Sequence, residues 1–164
     1  MTKALLSILL SGLLFSCRNL TCAVPDITPI FVGFDSTDID TIIVRKFAAG
    51  TNFQQLEDTA IFTNKPSIAG YSTSGDTTTI VLNIPSGPPK YLMPGNDWQV
   101  YLPSINVTVS LDNIVSPQRH EKCFGDCWCI NFIDSFAQNG RKVVPTRGLI
   151  PYMGGVGYLM YIHR

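Results

Sequence analysis

"DWQVYLPSINVTVSLDNI", residues 97–114, contains the pattern that decides the fold. In its second half the apolar residues Val107, Val109 and Leu111 alternate with polar ones. A period of two residues is typical of a strand with one buried face and one solvated face. Pro103 separates the two halves and has no backbone N–H to donate, so it marks a bend. We therefore predict two successive strands that meet near Pro103.

Similar signals for strands recur along the chain. Runs rich in β-branched and aromatic residues alternate with turn residues, which is the usual signature of short strands. Residues 67–84 read as a hairpin with a turn at 73–76, and Asn139-Gly140 is the strongest short-range hairpin signal. The other runs that predict strands are 29–34, 40–47, 59–63, 127–137 and 157–164, of which the last is apolar on both faces and is expected to lie centrally in a sheet.

The chain lacks a sustained helical period. The best helix candidate is residues 52–61, where we expect a turn or two at most. About eight short strands at this spacing predict an all-β fold: a single antiparallel β-sandwich, Ig-like or related. We expect a signal peptide at 1–16, a tether at 17–29 and the β-sandwich domain at 30–164.

The N-terminal segment has the pattern of an export signal. Lys3 precedes an apolar run from Ala4 to Phe15, which is too short to cross a bilayer as a helix. A positive start followed by a short apolar run is typical of a secretory signal peptide. One cleavage site would lie after Ala23, which would release a soluble secreted protein that begins at Val24. The alternative lies after Ser16.

The tetrapeptide Leu14-Phe15-Ser16-Cys17 lies directly at the end of the apolar run. It resembles the lipobox of bacterial lipoproteins, in which the cysteine becomes lipid-modified. The resemblance implies an exported protein that is held in the membrane by a lipid on Cys17. Arg18 and Asn19 do not look like the aspartate signal for inner-membrane retention, which implies an outer-membrane anchor in the cell envelope. The chain is similar in type to small bacterial lipoproteins of uncharacterised function.

The cysteine count agrees with lipid attachment. The chain has five cysteines, and an odd number in an exported protein needs an explanation. If Cys17 holds lipid, an even number remains as disulfide candidates: Cys22, Cys123, Cys127 and Cys129. We expect Cys123 to pair with Cys127 or Cys129, and the remaining cysteine to pair with Cys22. The sequence leaves the connectivity open.

Two clusters of residues have side chains of the types that bind metal ions. The cysteines at 123–129 with His120 could ligate a soft metal, although their spacing is not that of a zinc knuckle. Asp35, Asp38 and Asp40 could offer oxygen ligands to calcium, but their spacing is not that of an EF-hand, and a solvated turn is the preferred interpretation. We predict no metal and no cofactor.

Composition narrows the range of partners. Basic and acidic residues number 12 each, so the formal net charge is zero, and removal of residues 1–16 takes away one basic residue, Lys3. A chain without a basic patch is a poor candidate for nucleic-acid binding. No nucleophile elbow, phosphate-binding glycine loop or metalloprotease motif occurs, so we predict no catalytic site.

The aromatic residues of the second half could face a ligand. Most aromatics of a small β domain lie in its core, but Tyr91, Trp98 and Tyr152 are the candidates for exposure. Our leading hypothesis is a lipid-anchored envelope protein without a catalytic site that is structural or binds another envelope protein. The alternatives are a glycan-binding module that uses these aromatics and a metal- or thiol-dependent protein that uses Cys123–Cys129.

Overall fold

The computed structural model describes residues 25–63, 70–81, 91–122, 127–149 and 156–164. These residues form strands connected by turns, together with one 3-10 turn at Pro103–Ile105. The strands are β1 (Ile27–Val32), β2 (Thr41–Ala48), β3 (Leu56–Thr63), β4 (Gly70–Ser74), β5 (Thr77–Val81), β6 (Asn96–Leu102), β7 (Val107–Val115), β8 (Gln118–Lys122), β9 (Cys127–Asn131), β10 (Ser135–Gln138), β11 (Arg141–Val143), β12 (Thr146–Leu149) and β13 (Val156–His163).

The strands form two main sheets and a separate hairpin. One sheet has five strands in the order β12-β13-β1-β5-β4, and the other has six in the order β11-β10-β7-β6-β2-β3. Strands β8 and β9 pair with each other as a two-stranded sheet. The all-β prediction is therefore confirmed. The described strands exceed the expected eight because several predicted runs are divided; 127–137, for instance, is interrupted at residues 132–134 between β9 and β10.

The expectation of a wholly antiparallel structure is wrong at one pair of strands. Strand β1 runs parallel to β13, with Ile27 opposite Tyr158 and Val32 opposite His163. Parallel neighbours need a long crossover connection, and here residues 33–155 connect the two strands along the chain. As predicted for residues 157–164, β13 lies inside its sheet, between β12 and β1.

The expectation of helical turns at 52–61 is also wrong. Asn52 and Phe53 have φ angles of 50° and 59°, so both lie in the left-handed region and form a turn instead of a helix. The following residues, Leu56–Thr63, form β3 and pair antiparallel with β2. The backbone hydrogen bonds to β2 replace those that a helix would have made within itself.

Three local predictions are confirmed. The hairpin of β4 and β5 turns at Gly75, whose φ of 62° suits glycine. Asn139 and Gly140, with φ of 50° and 75°, connect β10 to β11 as a hairpin. Strands β6 and β7 pair antiparallel across the 3-10 turn at Pro103–Ile105, as the opening stretch of the sequence predicted.

The two main sheets pack against each other around a shared core. Phe31, Met160 and Ile162 contribute from the five-stranded sheet, while Trp98 and Leu111 contribute from the six-stranded sheet. Burial of such side chains contributes about 1.5–3 kcal/mol each. The domain begins slightly earlier than expected, since β1 starts at Ile27 and includes residues assigned to the tether.

We predict that Leu111→Ala destabilises the domain by about 2–5 kcal/mol, because it opens a cavity in a packed core. Leu111 is fully buried and lies opposite Trp98 in the β6–β7 register. Val115→Ala, on the same strand at a side chain that is 49% exposed, is the control and should cost less than about 0.5 kcal/mol. Urea unfolding measures both variants. Equal losses would contradict this assignment of the core.

Candidate functional site

The cysteine cluster lies at the hairpin of β8 and β9. In the backbone register His120 is opposite Cys129, and Lys122 is opposite Cys127. The side chains of these residues lie outside the described part of the structure, as do Cys17, Cys22 and Cys123 entirely. Lipid attachment, disulfide pairing and the metal alternative at this cluster therefore stay predictions.

Trp98 does not face a ligand. It lies in β6 with 2% of its surface exposed, and its indole Nε1 donates a hydrogen bond to the Met93 carbonyl at 2.8 Å. Both features place it in the core between the sheets, so the prediction of a ligand-facing ring is wrong for this residue. The reason is the phase of the strand: Trp98 shares its inward face with Val100 and Leu102. Tyr152 lies outside the described residues.

Tyr91 is half-buried and packs against the edge of the core. Its ring meets Phe62 edge to face at 5.1 Å between centroids and Trp98 at 6.4 Å. Burial raises the pKa of the Tyr91 phenol above its ordinary value of 10.0, and the Asp58 carboxylate raises it further. A ring held in this way on two sides contributes to packing, and it presents only part of its surface to solvent.

The acidic turn before β2 is held by an arginine of the same chain. The Asp38 carboxylate is buried, accepts the Asp35 N–H at 3.0 Å and pairs with the Arg164 guanidinium at 3.1 Å. Arg164 also contacts Asp35 at 3.2 Å, while Asp40 accepts a hydrogen bond from Ser104. The solvated-turn interpretation therefore holds for Asp35 and Asp40, but it is wrong for Asp38. Within the described ranges, no three metal-ligating side chains come together.

A shallow cavity of about 260 Å³ lies where β7, β10 and β11 meet. Asn113, with φ of 51°, and a shift in register between Ser135 and Ala137 mark a bulge there. Bulges bend a strand locally and are frequent next to functional sites. The residues that line the cavity are Asn113, Val115, Ser135, Phe136, Ala137, Gly140 and Lys142. Sequence analysis missed this cavity, because a bulge depends on how two distant strands pair.

The cavity is suited to a small group. Its lining is mostly apolar, and Lys142 is the charged residue among those that line it. The Asn113 amide already donates to the Asp112 carboxylate at 2.7 Å, so it is engaged within the strand. Pockets for whole ligands usually have volumes of about 300–1,000 Å³. This recess is smaller, and it fits a side chain of a partner better than a large ligand.

An arginine is stacked on an aromatic ring in each main sheet, and of the two Arg147 is exposed while Arg45 is half-buried. The Arg147 guanidinium lies 5.2 Å from the ring centre of Phe132 and 5.7 Å from that of Tyr158. On the other sheet Arg45 lies 5.1 Å from the ring centre of Tyr101. Stacking on a ring holds a guanidinium in place while its N–H groups remain able to bind an acceptor.

Comparison with known proteins assigns no relatives. No known protein family, curated protein or solved structure matches this chain.

We predict that Tyr91 contributes to a loss of stability in alkali. Its raised pKa means that the unfolded chain ionises first, so the free energy of unfolding falls as the pH rises from 10.0 toward the pKa in the folded state. Below pH 10.0 Tyr91 is neutral in both the folded and the unfolded chain, so its contribution to the free energy of unfolding is fully present. Tyr91→Phe should therefore flatten the decline above pH 10 without changing the slope between pH 7 and 9. Urea unfolding at each pH tests this, and identical alkaline slopes would contradict it.

Proposed function

We propose that this chain is an exported lipoprotein of the bacterial cell envelope, anchored in the outer membrane through Cys17, whose β domain binds a partner and has no catalytic role. The observation that carries the proposal is Leu14-Phe15-Ser16-Cys17 at the end of the apolar run 4–15. A lipobox in this position would make Cys17 the first residue of the mature chain. Its acyl chains would then supply the membrane attachment.

The energetics of lipid attachment support a stable anchor. Each buried methylene contributes about 0.8 kcal/mol, and attachment by two signals, such as dual acylation, is stable where a single chain is marginal. In the described residues, no helix is long and apolar enough to span a bilayer. Since β1 begins at Ile27, the segment from Cys17 to the domain reaches at most about 35 Å when fully extended. The domain would therefore stay close to the membrane surface.

The surface of the domain supports a role in partner binding. The recess beside Lys142 has the size of a side chain, and the exposed Arg147 and the half-buried Arg45 are stacked on aromatic rings. We propose that the two packed sheets are a β-sandwich, Ig-like or related, which is a scaffold that many binding proteins use. The glycan-binding alternative is less well supported, because Trp98 lies in the core. A role in nucleic-acid binding is not proposed, since the net charge is zero.

The anchor is tested with the full chain expressed in a Gram-negative bacterium, by membrane fractionation and intact mass. We expect the wild type in the outer-membrane fraction, with a mass that matches acylated Cys17 and four oxidised cysteines among the five. Cys17→Ser should abolish the acyl mass and the membrane association. Cys22→Ser is the matched control and should keep both, because it removes a disulfide candidate only.

The opposite result would be a mature chain that begins at Val24, without lipid, in the soluble exported fraction. That result would overturn the anchor and favour the secreted form. One thiol would then be unpaired, and the cysteines at 123–129 would become the leading candidate for a functional site.

A further inference from the structure

In the described part of the chain, strand β3 is an unpaired edge of the six-stranded sheet. Among the described residues it pairs with β2 alone, and it is longer than β4, β11 and β12, the other terminal strands of the two main sheets. Most of its residues are exposed, and the Ile61 side chain is 64% exposed. An edge strand presents a row of backbone N–H and C=O groups that can pair with a further strand. An exposed apolar edge of this kind is usually blocked or occupied.

Charges protect only the first part of this edge. The Glu57 carboxylate accepts a hydrogen bond from Asn96 at 2.9 Å and pairs with the Lys46 ammonium at 2.9 Å, so it is used within the chain. Asp58 accepts the N–H of Thr59 at 2.8 Å. Residues 59–63, "TAIFT", follow without a charged side chain. The charged residues that normally discourage pairing are therefore missing from the second part of the strand.

The uncharged segment 59–63 is complementary to itself. If a second copy is placed antiparallel about Ile61, Ile61 lies opposite Ile61, Thr59 opposite Thr63, and Ala60 opposite Phe62. Each pair is favourable: two β-branched apolar residues, two threonines, and a small residue against a large one. Glu57 and Asp58 fall outside the paired segment, so no carboxylate faces another.

Other apolar side chains lie in a row with Ile61 on the outer face of the sheet. In the registers of the sheet, Ile61 lies opposite Ile43, and Ile43 lies opposite Tyr101. Ile43 and Tyr101 are half-buried, whereas Ile61 is the exposed end of the row. A second Ile61 at the edge would cover this end and extend the row across the junction.

We propose that β3 is a self-association surface, on which a second copy of this chain adds its own β3 in antiparallel orientation about a two-fold axis at Ile61. Such an interface uses the same patch on both copies, so one exposed strand is sufficient to build it. Main-chain hydrogen bonds join the two six-stranded sheets into one continuous sheet. The formal net charge of zero means that the copies do not repel each other strongly. The inference does not depend on lipid attachment.

The test is sedimentation of the full chain in a non-ionic detergent over a range of concentrations. We expect a monomer–dimer equilibrium for the wild type. Ile61→Lys places two ammonium groups against each other at the axis and should raise the dissociation constant by at least about tenfold. Val144→Lys, at a side chain that is 74% exposed and outside the strands, is the matched control and should leave the equilibrium unchanged. All variants share the same micelles, so association by detergent would affect them equally.

Amide hydrogen exchange provides the second readout. In the wild type, exchange at residues 59–63 should slow as the protein concentration rises, whereas in Ile61→Lys the same slowing should need at least about tenfold more protein. Circular dichroism checks that the variant keeps the β fold. Two results would overturn the proposal: a wild type that is monomeric at every concentration, or a dimer that survives Ile61→Lys unchanged. Neither result bears on Cys17, so the anchor and the interface fail separately.

Discussion

The parallel pairing of β1 with β13 is the contact on which the rest of the structure depends. Within the five-stranded sheet β12 is attached through β13, while β5 and β4 are attached through β1. Without this pairing the sheet would separate into two parts, and Phe31 and Met160 would lose their common position in the core. The Arg164 backbone extends the ladder by donating to the Val32 carbonyl at 3.2 Å, and its guanidinium holds Asp38. The loop-closure entropy of joining such distant segments must be offset by the burial that follows.

Local features of this fold could be predicted from the sequence, because they depend on neighbouring residues. The alternation at 107–111, the bend at Pro103 and the turn at Asn139-Gly140 needed nothing beyond strand period and turn chemistry. The parallel pair could not be predicted in this way, since apolar strands do not encode which distant partner they take. The prediction for Trp98 was wrong although the sequence contained a signal. Trp98 lies two residues before Val100, and residues two apart on a strand share a face, which here is buried.

The candidate functional features also differ in whether they depend on local sequence or on tertiary pairing. The cavity beside Lys142 depends on a bulge between β7 and β10, which reflects tertiary pairing. The buried Asp38 pairs with Arg164, which is distant in the sequence. The proposed anchor, by contrast, is entirely a property of local sequence around Cys17. The N-terminal motif and the surface of the domain therefore bear on function, because a fold alone does not assign one.

The parallel pairing of β1 with β13, in the register that joins Ile27 to Tyr158, can be tested in solution. The most direct measurement is the pattern of nuclear Overhauser effects between backbone protons of the two strands in the labelled full chain. A parallel pair predicts cross-strand contacts whose residue numbers rise together, from Thr28 with Leu159 to Phe31 with Ile162. Contacts in which one number falls as the other rises, or protected strands without mutual contacts, would contradict it.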